Sequence, residues 1–329
     1  MTVTDNTSVT STPEPRVLSV RRRGADRVFR GAVTFGGLST FIVQALIAGF
    51  LLYRGAQLFA DYGIDFITSE QWINAGDTPE NGATYGVAAM LVGTIVTALI
   101  AVIVALPFVV GTSLFLEFYA PKRLRSILVS LLDLIAAIPS IVYGLWGYIV
   151  LVPQVSGWSK SLNEYLGWFP LFDVPIPIFD RSPLTAGLVL TLMILPIATS
   201  VTREVYSQTP RDQLSAAYAL GGSRWGAIRE VALPYGRSGL VGGMLLGMGR
   251  ALGETVAVLL TLNLAFDINF RILASAGGNV ASLIANNFGE AGPYELKALL
   301  AAGFVLFCTT LIVNLIASFI VRGAERKYA

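Results

Sequence analysis

An arginine and a glutamate four residues apart, Arg250 and Glu254, stand in an apolar run reading from about Ser238 to Leu262. Arg250 falls roughly twelve residues past the start of that run, about 18 Å at 1.5 Å per residue. An arginine at such depth costs about 2.5–3.5 kcal/mol on insertion scales, and ionisable groups inside a membrane more often line a pathway than face lipid. Self-neutralisation of the pair is the plainer reading, but an apolar pair would lock the helices with less desolvation. A planar guanidinium with a carboxylate competing for it suits transient binding of an oxyanion. Thr255, Ser140 and Tyr143 could add hydroxyl donors; for the last two, local backbone bonding or interface anchoring is at least as good an explanation. The chain contains no histidine, which counts against an embedded metalloenzyme or a histidine-ligated haem. Its one cysteine, Cys308, precludes an intrachain disulfide.

The elements that must hold this pair are membrane helices. Of 329 residues, 54% are hydrophobic and 13% charged, against about 25% charged in soluble domains; mean hydropathy is +0.66. Residues 1–30 are Thr/Ser/Pro-rich and then basic, a segment expected to be disordered at its start. Residues 31–329 read as a transmembrane domain with six spans at about 32–53, 86–116, 127–151, 184–202, 238–262 and 297–321. The first run is too long for a signal-peptide core and lacks a small-x-small cleavage site. Within the spans, Pro107, Pro139 and Pro196 predict kinks, and a carbonyl freed by a proline must find protein or water. A loop from Pro153 to Pro183 holds Trp158, Tyr165, Trp168 and Phe169, residues that suit the membrane–water interface. Gly239, Gly243 and Gly247 form a small-xxx-small ridge. At about 100° per residue, Arg250 and Glu254 fall in the same arc of roughly 80° as that ridge, facing neighbouring helices and away from lipid.

Charge distribution orients the chain. Seventeen of the 23 Lys and Arg residues fall in the N-terminal segment, the 118–126 turn, the 203–237 elbow and the tail. Short cytoplasmic loops collect Lys and Arg, so both termini and the elbow are expected on the cytoplasmic side of a cell membrane. The net charge of +2 is near neutral, and no nucleic-acid partner is expected. In the elbow, Thr209 is a candidate N-cap with Pro210 at the first helical position and Asp212 completing a loose capping box. Gly221-Gly222 would stop that helix near Leu220. Ser223 would cap a second helix carrying Trp225 and Ile228 and ending at Leu233-Pro234.

Ser215-Ala216-Ala217, Gly221 and, ten residues on, Val231-Ala232-Leu233-Pro234 resemble the EAA loop of ABC importer permeases, with Ser215 where the family has Glu and Val231 where it has Ile. The resemblance implies an all-α fold of the type I permease class, and a loop whose Ser215, Ala216, Ala217, Gly221, Trp225, Val231, Leu233 and Pro234 dock into a separate ATPase. The chain has no G-x-x-x-x-G-K-[ST], so it carries no P-loop of its own. Arg250-Ala-Leu-Gly-Glu254-Thr255, with Ala137-Ile-Pro-Ser-Ile-Val-Tyr-Gly-Leu-Trp146, resembles the PstC-type permeases of phosphate-specific ABC importers from about residue 30 onward. That likeness implies a PstA-like second permease, two PstB-like ATPases carrying ATP and Mg, and a PstS-like extracytoplasmic phosphate-binding protein. No cofactor is expected in this chain, which is read as a transport subunit, not an enzyme. The rival readings are a permease for molybdate or sulfate, or an ATP-independent secondary transporter or channel.

Overall fold

The computed structural model describes residues 24–74 and 82–325. The basic N-terminal stretch up to Arg23 and the last four residues lie outside them. By its contacts the chain divides into two compact units, 1–49 and 50–329, so the division falls inside the first helix, α1 (Gly24–Tyr62). In the first unit the described part is apolar, largely exposed helix.

The second unit is built almost wholly of helices. After α1 come a turn of helix α2 (Asp65–Thr68) and a ribbon of β1 (Trp72–Ile73) against β2 (Thr84–Tyr85), antiparallel with Trp72 opposite Tyr85. Then follow α3 (Ala88–Leu114), α4 (Lys122–Ala136), α5 (Ser140–Trp146), α6 (Val152–Leu166) and α7 (Pro183–Ser207). The elbow supplies α8 (Arg211–Ala219) and α9 (Arg224–Ala227). The last part comprises α10 (Leu233–Leu252), α11 (Val256–Thr261), α12 (Val280–Asn287) and α13 (Pro293–Glu325). Five described stretches are long and apolar enough to cross a membrane: Arg27–Tyr62, Ala88–Tyr119, Ser140–Leu166, Pro183–Ser207 and Pro293–Phe319.

The interior is a three-helix packing of α3, α7 and α10, filled by Ala98, Ala101, Ala105, Val109, Val189, Leu190, Ile194, Met244 and Met248. The glycine ridge makes this approach possible. A Cβ at Gly243 would lie 2.7 Å from the Ala198 carbonyl oxygen, and one at Gly247 would lie 3.1 Å from Ile194 Cβ. Both glycines therefore face α7, as the four-residue spacing predicts. A second core gathers α1, β2, α12 and α13 around Leu58, Phe66, Tyr85, Leu283 and Leu299. Its polar edge is satisfied: Glu295 accepts from Trp72 Nε1 at 3.1 Å and Asn74 Nδ2 at 2.7 Å, and Tyr294 donates to Asp61 at 2.7 Å.

Two helices depart from the sequence expectation at prolines. The predicted third span, 127–151, is cut at Ala137–Pro139, which separates amphipathic α4, with no buried residue, from the apolar stretch that starts at Ser140. That stretch runs helical through a π turn at Gly147–Leu151 into α6, so the loop expected from Pro153 begins only after Leu166. In the same way, Leu233-Pro234 does not end the second elbow helix. A π turn at Ile228–Ala232 precedes it, and the chain is helical from Arg224 to Leu252. A proline lacks the N–H that an α-helix donates four residues back; in the first turn after a π turn, that bond is already re-registered.

Candidate substrate pathway and coupling site

The predicted fifth span is not one helix. α10 stops at Leu252, Gly253 to Thr255 form a joint, and α11 restarts at Val256. The joint takes Glu254 out of the arc expected for ridge, Arg250 and Glu254, while Arg250 stays on the same helix as the ridge. The ridge is buried against α7 and Arg250 is exposed on the surface of this chain. Glu254 is 9% exposed. Its Oε1 accepts from the Ala257 backbone N–H at 3.4 Å, within the first turn of α11. Among the described residues no ion pair joins Arg250 to Glu254; the pair expected from spacing alone is parted because the helix between them ends.

Two interrupted helices meet at this place. α5 packs on α11, and a Cβ at Gly144 would lie 2.8 Å from Ala257 Cα. Tyr143, one residue before that contact, is half-buried and lies within electrostatic reach of Arg250. Its hydroxyl, however, donates to the Ile135 carbonyl at 2.7 Å. Ile135 lies in α4, on the other side of the break at Pro139, and its carbonyl also accepts from the Ile138 N–H at 3.2 Å. Tyr143 therefore braces the break. Ser140 opens α5 and is partly buried. Thr255 donates to the Gly253 carbonyl at 3.4 Å. It also lines an open groove of about 480 Å³ with Gly253, Ala281, Ile284, Phe288 and Leu306.

The elbow forms a knob. Helix α8 ends at Ala219 with Leu220 as its C-cap, and Gly221 takes φ of +82°, a conformation that side-chain-bearing residues rarely adopt. Leu220 is 90% exposed at the tip, with Trp225 and Tyr218 exposed beside it. Ser223 caps α9 by accepting from the Gly226 N–H at 3.1 Å. Thr209 is not the cap of α8: Pro210 holds that position, and the Thr209 hydroxyl donates back to the Tyr206 carbonyl at 2.8 Å. Of the motif residues, Ser215, Ala216, Gly221 and Pro234 are exposed, while Ala217, Val231 and Leu233 are partly buried. Beneath the knob, Ile228 and Ala232 pack with Leu114 of α3 and Tyr206 of α7. Gly236 lets the base of α10 lie on the Tyr206 ring.

The polar stretch between the fifth and sixth expected spans holds a helix, α12, and a residue, Asn279, that are not among the site residues named from the sequence. The signal was present as Asn279-Val-Ala-Ser282, a polar cap with a hydroxyl three residues on. Asn279 Oδ1 accepts from the Ser282 N–H at 2.7 Å, and the Ser282 hydroxyl faces the Asn279 N–H, a reciprocal capping box.

Close-packed apolar helices, five stretches of which are long and apolar enough to cross a membrane, define a polytopic membrane protein. The chain belongs to the family of binding-protein-dependent transport system inner membrane components, whose profile matches residues 109–329. It is 41% identical over 305 residues to phosphate transport system permease protein PstC 2 of Mycobacterium tuberculosis, covering 92% of this chain and 93% of that one. It is 39% identical to PstC of Xylella fastidiosa, covering 97% and 96%, and 39% identical to a probable PstC of Methanocaldococcus jannaschii, covering 85% and 88%. Among solved structures it resembles a bacterial ABC transporter that imports the acidic polysaccharide alginate. That match has a TM-score of 0.51 at 14% identity, covers 90% of this chain and 98% of that one, and speaks to fold alone.

Proposed function

We propose that this chain is a pathway-forming permease subunit of an ATP-driven importer of inorganic phosphate. The observation that carries the reading is near-full-length similarity, at 39–41% identity, to proteins named as phosphate permeases. The partners are an ATPase pair holding ATP and Mg, a PstA-like second permease and a PstS-like extracytoplasmic phosphate-binding protein. Six crossings, with α10 and α11 together making the fifth, leave both termini and the knob on the cytoplasmic side.

Arg250 gives this function its chemistry. An exposed guanidinium on an apolar helix is too costly to face acyl chains, so the second permease or a water-filled path covers that side of α10. With no carboxylate partner among the described residues, the guanidinium offers planar donors that match phosphate bidentately. The coupling route is mechanical. From Arg224 to Leu252 the chain is one helical rod, roughly 40 Å long at 1.5 Å per residue. Its lower end is in the knob and its upper end carries Arg250. ATPase closure shifts the knob, the rod moves over Tyr206 and α7, and Arg250 exchanges phosphate for Glu254 as access changes side.

Labelled-phosphate uptake by the reconstituted complex, with molybdate and sulfate as competitors, tests the substrate. The expected result is ATP-dependent uptake suppressed by unlabelled phosphate and unaffected by the other two oxyanions. Suppression by molybdate or sulfate at lower concentration than phosphate would reassign the substrate. Uptake that persists without ATP would remove the engine.

A further inference from the structure

Among the described residues, one side chain from outside the segment hydrogen-bonds to the joint between α10 and α11. Asn279, 1% exposed, donates from Nδ2 to the Glu254 backbone carbonyl at 2.6 Å. The other described bonds of Glu254 are local: its N–H donates to the Ala251 carbonyl at 3.3 Å, and its carboxylate accepts from Ala257. Asn279 is itself clamped on α3. The next N–H, of Val280, donates to the Thr94 hydroxyl at 3.2 Å. Gly278 also lies so close to Gly93 that a Cβ on Gly93 would collide with the Gly278 carbonyl. The two halves of the Asn279 amide do different work: the oxygen caps α12, and the nitrogen holds the joint.

We propose that Asn279 is a positioning residue for transport, pinning the Glu254 peptide to α3 so that α10, with Arg250, moves against a fixed joint. A buried carbonyl that loses its donor costs more than the bond itself contributes, and an unpinned joint would let Glu254 travel with the rod. Glu254 would then no longer be a stationary point against which Arg250 changes partner. This rests on the reading that Arg250 lies in the phosphate path.

The amide's division of labour gives a clean test. Asn279→Asp keeps the acceptor, and Asp caps helices as well as Asn does, but it turns a carboxylate oxygen toward the Glu254 carbonyl. The variant complex, purified with its partners, is compared with wild type and with Arg250→Gln for yield of assembled complex, ATP hydrolysis, and phosphate uptake per complex. The expected result for Asn279→Asp is wild-type yield, retained ATP hydrolysis, and at least a tenfold fall in phosphate moved per ATP. Asn279→Gln, which keeps a donor on a longer arm, should recover part of that ratio. Wild-type uptake per ATP in Asn279→Asp would overturn the proposal, and so would failure to assemble, which would assign Asn279 to folding alone. Wild-type uptake in Arg250→Gln would instead overturn the pathway reading beneath it.

Discussion

A guanidinium, a carboxylate and a phenol near one helix break have three different fates here, and hydrogen-bond partners separate them. Glu254 is buried and occupied with the first turn of α11. Tyr143 gives its hydroxyl to the Ile135 carbonyl, across the break at Pro139. Arg250 is exposed and has no carboxylate partner among the described residues. The sequence singled out all three by type and spacing, but it could not rank them, because their ranking depends on where the helix stops. The brace assigned to Tyr143 makes a prediction at this scale. Tyr143→Phe should lose one hydrogen bond, a net of about 0.5–1.5 kcal/mol, seen as a lowered thermal midpoint of the purified protein. Uptake per folded complex should stay within twofold of wild type, whereas a ligand role for the hydroxyl would remove far more.

At the scale of elements, the glycine ridge and the knob were legible and the helix ends were not. Gly239, Gly243 and Gly247 repeat every four residues, and the structure lays that face on α7. Pro153 and Pro234 read as stops, yet each sits in the first turn of a helix preceded by a π turn. A π turn leaves no mark in hydropathy or composition, so both boundaries were misplaced. The break at 253–255 was invisible for the opposite reason: apolar residues resume at once, and no proline marks it. The ridge allows a controlled test on one helix. Gly243→Leu must enter the space of Ala198 and Thr202 and should destabilise by about 1–3 kcal/mol or more. Gly242→Leu, with nothing within 4 Å of its Cβ position, should leave the thermal midpoint nearly unchanged. Equal effects of the two would mean that α10 does not pack on α7 through this face.

For the whole molecule, the continuous helix from Arg224 to Leu252 runs from the knob to Arg250. The tip residue Leu220 is 90% exposed, which suits a contact made by another protein. Leu220→Asp should weaken retention of the ATPase by about 2 kcal/mol, roughly thirtyfold, measured by co-purification; undiminished co-purification would place the contact elsewhere. The most direct measurement of the account is ATP-driven uptake of labelled phosphate by proteoliposomes carrying the assembled complex with Arg250→Gln. The account predicts wild-type assembly and ATPase retention with phosphate uptake abolished. Uptake by that variant at the wild-type rate would contradict it, since the charge at the helix break would then have no part in moving phosphate.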